Sequence, residues 1–237
     1  MIIIPDIHGH TFWKEAIAKR RKDEMVIFLG DYLDPHNSSK TSITNDIAFD
    51  NFLDIVKYKR ANPDNCVLLF GNHELSYIFL RFLAFPHDFS HHFRNRRFIL
   101  DNINLFQLAY YTKLNGNEYL FTHAGVHPKW IKQNFKNIET PFEFYSYTLE
   151  VPINKLTGKL NRITSERRPF RRWGSCVWLY ISDWINESSY LEFGNCYQIF
   201  GHTYLRNAEP LITKYFAALD TRQAYRLSEC TGEISMF

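Results

Sequence analysis

Cysteine is scarce and scattered: Cys66, Cys176, Cys196 and Cys230 form no Cys-x-x-Cys pair. That excludes a thiolate zinc clasp and a thioredoxin-type redox motif, and it predicts reduced thiols in a core. Long apolar runs are missing too, none reaching the roughly 18 residues that a membrane-spanning helix needs. The opening Met1-Ile2-Ile3-Ile4 turns polar at Asp6 and has no basic segment before it, unlike a secretory signal. A soluble cytoplasmic protein is the expectation. Charge of one sign is also lacking: the net charge of +3 is too small to announce a dedicated nucleic-acid binder. Repeats, low-complexity tracts and linkers are absent. What is present is a composition 45% apolar and 17% aromatic against 22% charged, which excludes disorder and supplies a sizeable core. One domain over residues 1–237 is expected.

Short apolar runs of strand length recur at residues 1–4, 25–29 and 66–70, as in strands buried on both faces. Between them, residues 12–22 and 46–60 are amphipathic, with Ile47, Phe49, Phe52, Leu53, Ile55 and Val56 crowding one helical face. The order β-α-β-α-β predicts a parallel sheet with right-handed crossovers. A further helix is expected at 74–83. Then the pattern changes. Asn115-Gly116-Asn117 between residues 110–114 and 118–122 signals a hairpin, because Asn-Gly accepts positive φ. Helices are expected near 128–135 and 141–149, and strands at 177–181, 197–200, 211–217 and 223–227. Residues 151–175, with Pro152, Pro169 and clustered arginines, read as a loop or lid insertion.

The chemistry lies where the strands stop. Asp6-Ile7-His8-Gly9 follows the first run, Gly30-Asp31-Tyr32-Leu33-Asp34 the second, and Gly71-Asn72-His73-Glu74 the third. The carboxyl ends of parallel strands share one edge, where ligands bind. Thr122-His123-Ala124-Gly125 and Gly201-His202-Thr203 each deliver one more histidine after an apolar run. A single Asp or Asn at such a place is ordinarily a turn or helix-cap residue, but turns do not predict five such clusters. Oxygen and imidazole donors without thiolate suit manganese, iron or zinc, and a shared carboxylate can bridge two ions about 3.5–4 Å apart.

These five motifs, in this order from Asp6 to His202, resemble the calcineurin-like metallophosphoesterases, nearest the branch of serine/threonine protein phosphatases with its bacterial and phage members. The resemblance implies an α/β fold of two mixed β-sheets flanked by helices, packed as a sandwich. It implies two divalent metal ions, manganese first and iron or zinc as alternatives. Asp6 and His8 would bind the first, Asp31 would bridge, and Asn72, His123 and His202 would bind the second. His73 would be the catalytic imidazole and Asp34 its orienting carboxylate. Two cations lower the pKa of a shared water enough to supply hydroxide near neutral pH, and an imidazole paired with a carboxylate protonates the departing oxygen. Glu74 opens a helix, where a carboxylate suits the macrodipole, and is expected to be structural. His10 and His127 are expected to support the ligands.

Departures from the family pattern bear on substrate. Where such phosphatases continue Asp-Arg-Gly, the Arg gripping phosphate, this chain has Asp34-Pro35-His36. Where relatives carry Asp-Thr-Gly near the end, it has Asp220-Thr221-Arg222. Phosphate contacts are therefore assigned to His36 and to Arg167, Arg168, Arg171 and Arg172, with the basic stretch 91–97 next in line. The expected reaction is hydrolysis of a phosphomonoester, serine/threonine phosphoprotein included. The alternative is a phosphodiesterase or dinucleoside polyphosphate hydrolase. A non-enzymatic binding module of the same fold is disfavoured, because the ligands, His73 and Asp34 are all retained. The partner is a phosphorylated small molecule, nucleotide or protein.

Overall fold

The computed structural model describes residues 1–36, 42–79, 83–160, 174–182 and 193–237. The chain divides into two compact units, Met1–Phe106 with Arg222–Phe237, and Gln107–Thr221.

The first unit opens with β1 (Ile2–Ile4), α1 (Phe12–Ala18), β2 (Val26–Phe28), α2 (Asn45–Ala61), β3 (Cys66–Leu69), α3 (Asn72–Ile78) and α4 (His92–Asp101). β1, β2 and β3 pair in parallel, with Ile3 opposite Ile27 and Ile27 opposite Val67. Every residue of the three strands is buried, which explains why they read as unbroken apolar runs rather than alternations. Thr44 caps α2 by accepting the Ile47 N–H at 3.2 Å. The helix buries Ala48, Asn51, Phe52, Ile55 and Val56 at intervals of three and four residues, and Ile47, expected on that face, is 50% exposed. Phe52 stacks on Tyr32 with centroids 4.8 Å apart, so the helix is seated on the residues that follow β2. α4 was not expected; its buried residues Asn95 and Ile99 are too few to give the run 91–101 a visible period.

β4 (Phe106–Gln107) borders β3, and the second unit follows: β5 (Ala109–Leu114), β6 (Asn117–Thr122), α5 (Pro128–Asn134), α6 (Pro141–Glu150), α7 (Ile153–Leu156), β7 (Tyr197–Phe200), β8 (Leu211–Ile212) and β9 (Phe216–Ala218). Its sheet runs β5-β6-β7-β9-β8, parallel at β6-β7-β9 and antiparallel at both edges. The hairpin turn is as expected, Asn115 and Gly116 having φ of 48° and 79°, the pair of positive values a type I′ turn requires. α5 and α6 begin on Pro128 and Pro141, capped by the His127 ring and by a Thr140–Glu143 capping box. The last strands, β10 (Tyr225–Leu227) and β11 (Ile234–Met236), return to the first unit, β10 lying antiparallel to β1. Both sheets are mixed, and helices flank them.

Two expected strands fail for identifiable reasons. The run expected as a strand at 177–181 instead leaves a buried turn at 175–178, in which the Trp178 N–H donates to the Ser175 carbonyl at 2.8 Å; Val177 and Leu179 are buried without being in a strand, Tyr180 and Ile181 are half-buried, and an apolar run alone does not separate the cases. The stretch 211–217 breaks into β8 and β9 because the Thr213 hydroxyl accepts the N–H groups of Tyr215 and Phe216 at 3.1 and 3.0 Å, a side-chain turn that displaces the ladder. Within 151–175, α7 forms one helical turn with Leu156 buried, and residues 161–173 lie outside the described residues. Cys66, Cys176 and Cys196 are buried thiols, whereas Cys230 is exposed. Among the described residues no helix is long and apolar enough to cross a membrane.

Candidate active site

Three loops follow the carboxyl ends of β1, β2 and β3, and the backbone ties them together. The amides of Ile7 and His8 both donate to the Asp31 carbonyl, at 3.0 and 2.7 Å, and Gly9 donates to Tyr32 at 3.1 Å. The Glu74 carboxylate accepts the amides of Asp31 and Tyr32 at 2.9 Å each and of Gly71 at 3.1 Å. Glu74 is therefore structural, as expected, but by clamping the second loop to the third rather than only by its place at a helix start. Burial and the Asp31 charge push its pKa up to about 7. Two glycines make the approach possible. A Cβ on Gly30 would lie 2.5 Å from the Gly71 nitrogen, and one on Gly71 would overlap the Asp31 carboxylate.

The side chains so placed converge. Asp6, His8 and Asp31 are buried and can each offer a ligand atom within 4.8 Å of the others. The His8 Nδ1–H donates to the carbonyls of Leu33 and Asp34 at 3.0 and 2.9 Å, so the lone pair is on Nε2, 3.6 Å from Asp31 Oδ2. Burial, with His73 close by, holds the His8 pKa well below its ordinary value, the neutral form a metal requires. Two carboxylates and one neutral imidazole, without sulfur, form a donor set suited to a divalent cation of the manganese, iron or zinc kind. His73 Nδ1 lies 2.7 Å from Asp34 Oδ2, and the His73 ring is 4.9 Å from that of His8. Burial alone would lower the His73 pKa, but Asp31 and Asp34 reverse this and raise it.

Backbone strain marks the same residues. His8, Asp31 and Asp34 have φ of 42°, 53° and 57°, a region that costs non-glycine residues on the order of 1 kcal/mol each. His202, in the second unit, joins them at 67°. There the parallel register sets Phe121 opposite Ile199, so His123 and His202 leave the ends of neighbouring strands together. His123 Nε2 lies 3.1 Å from His202 Nδ1, the ~3 Å separation of two donors on one ion. Asn72 is buried at the first position of α3.

Of the expected substrate contacts, His36 is exposed and its ring lies 4.4 Å from His8 and 5.9 Å from His73. Arg167, Arg168, Arg171 and Arg172 lie outside the described residues. The stretch 91–97 is engaged elsewhere: Arg94 pairs with Asp46 at 2.6 Å and lies over Phe49, Arg97 reaches Asp101 at 3.7 Å, and His91 bonds Asp88 at 2.8 Å. His127 caps α5, accepting the Lys129 N–H at 3.1 Å; His10 is half-buried beside its loop. Arg222, not among the expected substrate contacts, stands beside His36. Its Nη2 reaches the His36 carbonyl at 3.5 Å, and its φ of 59° is that of the glycine which Asp-Thr-Gly would place there, a signal the motif comparison already contained.

The profile of the calcineurin-like phosphoesterases matches residues 1–204. The chain belongs to this family. It is accordingly a hydrolase of the metal-dependent phosphoesterase kind. Two solved structures share the fold. A cold-active protein-tyrosine phosphatase from a psychrophilic Shewanella is 16% identical with a TM-score of 0.57, the match covering 99% of this chain and 79% of that one. A protein serine/threonine phosphatase from Saccharomyces cerevisiae is 14% identical with a TM-score of 0.54, over 92% of this chain and 65% of that one. Comparison with curated proteins gave no match.

Proposed function

We propose that this calcineurin-like phosphoesterase hydrolyses phosphomonoesters, phosphorylated side chains of proteins among them, with two divalent cations. The observation that carries the reading is the His73–Asp34 pair at 2.7 Å, set beside the Asp6, His8 and Asp31 donors. Asp6 and His8 would hold the first cation and Asp31 would be shared. The family motifs give the second cation to Asn72, His123 and His202. When bound, such cations acidify water and neutralise charge on phosphoryl oxygens.

The chain's own residues do the rest. The Nδ1–H of His73 bonds Asp34, which leaves Nε2 to carry the proton that a departing alkoxide needs. The His73 N–H donates to Asp31 Oδ1 at 3.0 Å, so the carboxylate shared between the ions and the imidazole are held by one helix start. Arg222 supplies positive charge, and His36, whose pKa desolvation and the neighbouring His73 lower, supplies a neutral ring donor, for the phosphoryl oxygens in place of the family's Asp-Arg-Gly arginine. Two features support this: the Arg222 guanidinium reaches the His36 carbonyl at 3.5 Å, and Arg222 keeps a glycine-like backbone although it carries a long cationic side chain.

The test is a panel of an aryl phosphate, phosphoserine, phosphothreonine and phosphotyrosine peptides, a phosphodiester and a dinucleoside polyphosphate. Each is assayed with manganese, iron or zinc and with chelator. Metal-dependent turnover of the monoesters is expected, together with loss of bound metal and turnover in Asp31→Asn, since an amide bridges two cations poorly. Turnover confined to the diester or the dinucleotide would overturn the monoester reading, and full activity in Asp31→Asn would overturn the shared ligand.

A further inference from the structure

Asp34 uses both of its oxygens, and only one of them faces His73. Oδ2 takes the imidazole contact at 2.7 Å, while Oδ1 accepts the Asp88 N–H at 3.0 Å and the hydroxyl of Tyr77. A carboxylate turns about its last torsion with a nearly two-fold preference, so a single histidine contact does not decide which oxygen, or which tilt, it presents. Donors fixed on Oδ1 decide it.

We propose that Tyr77 is a positioning residue of the catalytic dyad, its hydroxyl acting with the Asp88 amide to hold Asp34 in the one orientation that aligns His73. The proposal rests on the proton-donor role given to His73 above. Tyr77 follows His73 by four residues in α3, so both side chains leave the same face of the helix and meet the same carboxylate. The phenol is fully buried. Its ring is stacked against His87, centroids 4.3 Å apart at 28°, and against His92 at 5.5 Å and 27°. Its oxygen also accepts the Asp88 N–H at 3.1 Å and a bond from the Asn95 side chain. Burial, and then the Asp34 charge, push its pKa far above that of a free phenol, so the hydroxyl is a donor at every working pH.

The stacked histidines are fixed in turn. The Ser76 hydroxyl donates to the His73 carbonyl at 2.8 Å, so its oxygen accepts the Nδ1–H of His87 at 3.1 Å. The remaining His87 nitrogen then meets His92 Nδ1 at 3.0 Å. Tyr77 thus has neither a free rotation nor a free oxygen, the condition under which a supporting hydrogen bond sets the geometry of the group it supports.

Tyr77→Phe keeps the ring and removes the donor. For esters with alkoxide leaving groups we expect kcat to fall about tenfold, the effect of one hydrogen bond to a charged group. An activated aryl ester, which needs little protonation, should lose about twofold. KM and metal content should hold. A second readout is independent of activity: in the zinc-loaded, histidine-labelled full chain, the His73 Nδ1 proton should resonate far downfield, and Tyr77→Phe should shift or broaden it. Equal losses on both ester classes, or an unmoved His73 resonance, would overturn the proposal. If the wild type hydrolyses no ester, the functional reading fails and the resonance alone decides the role of Tyr77. If Tyr77→Phe does not fold, 3-fluorotyrosine at position 77 keeps the shape and strengthens the donor; a changed leaving-group dependence then supports the role, and an unchanged one overturns it.

Discussion

The Glu74 carboxylate accepts the backbone N–H of Asp31 at 2.9 Å, so the residue proposed to lie between two cations is held in place by a buried carboxyl group in the first turn of α3. Three amides depend on that carboxylate. Glu74→Ala leaves them buried without an acceptor and should cost about 3 kcal/mol or more. Glu74→Gln turns an N–H toward an N–H and should cost about as much. Denaturant unfolding measures both. Metal affinity should fall in parallel by about tenfold or more, and a variant that binds metal normally would show that the clamp is not what shapes the site.

His73→Ala should separate proton donation from metal binding. Elemental analysis should find metal unchanged, while kcat falls by roughly 10²- to 10⁴-fold for alkyl phosphates and less for activated aryl esters. Loss of a metal instead would make His73 a ligand.

Arg222 makes a prediction of opposite signs. Arg222→Gly removes a side chain from a backbone at φ 59° and should leave the thermal midpoint unchanged or higher, because the strain relieved, of order 1 kcal/mol, offsets the flexibility gained by the unfolded chain. The same change should raise KM for phosphomonoesters about tenfold while sparing a diester, which carries less charge. His36→Ala should act in the same direction. An unchanged KM in both variants would remove them from phosphate binding.

Far from this chemistry, Arg226 grips Glu24 through Nε at 2.8 Å and Nη2 at 3.2 Å. Burial alone would raise the Glu24 pKa, but the bonds from Arg226 and from the Arg21 amide lower it below the ordinary glutamate value. A depressed carboxylate stabilises the fold above its unfolded pKa, and that stability is lost as pH falls through the folded value. Glu24→Gln should therefore cost about 1–2 kcal/mol at neutral pH and progressively less below about pH 4. Thermal melts of both proteins across that range test it; a constant difference would assign the cost to packing.

The sequence by itself determined the parallel strands β1, β2 and β3 and the loops that follow them. These strands are buried on both faces, so each appears as an unbroken apolar run, and each run ends in a Gly-, Asp- or His-rich loop whose residue types are those of the site. The hairpin at Asn115-Gly116 was equally legible, because only such residues take positive φ readily. Tertiary structure decided what depends on partners distant in sequence. The apolar run at 177–181 leaves a buried turn at 175–178 rather than forming a strand, and Thr213 splits an expected strand with its own hydroxyl. Glu74 and Tyr77 looked like ordinary helix residues, yet their function lies in what they reach: the amides of Asp31 and Tyr32, and the carboxylate of Asp34, 43 residues earlier for Tyr77. Residue type reveals a ligand, but only the fold shows which side chain holds the ligand still, since one buried hydrogen bond can be supplied by many residue types from many places in the chain.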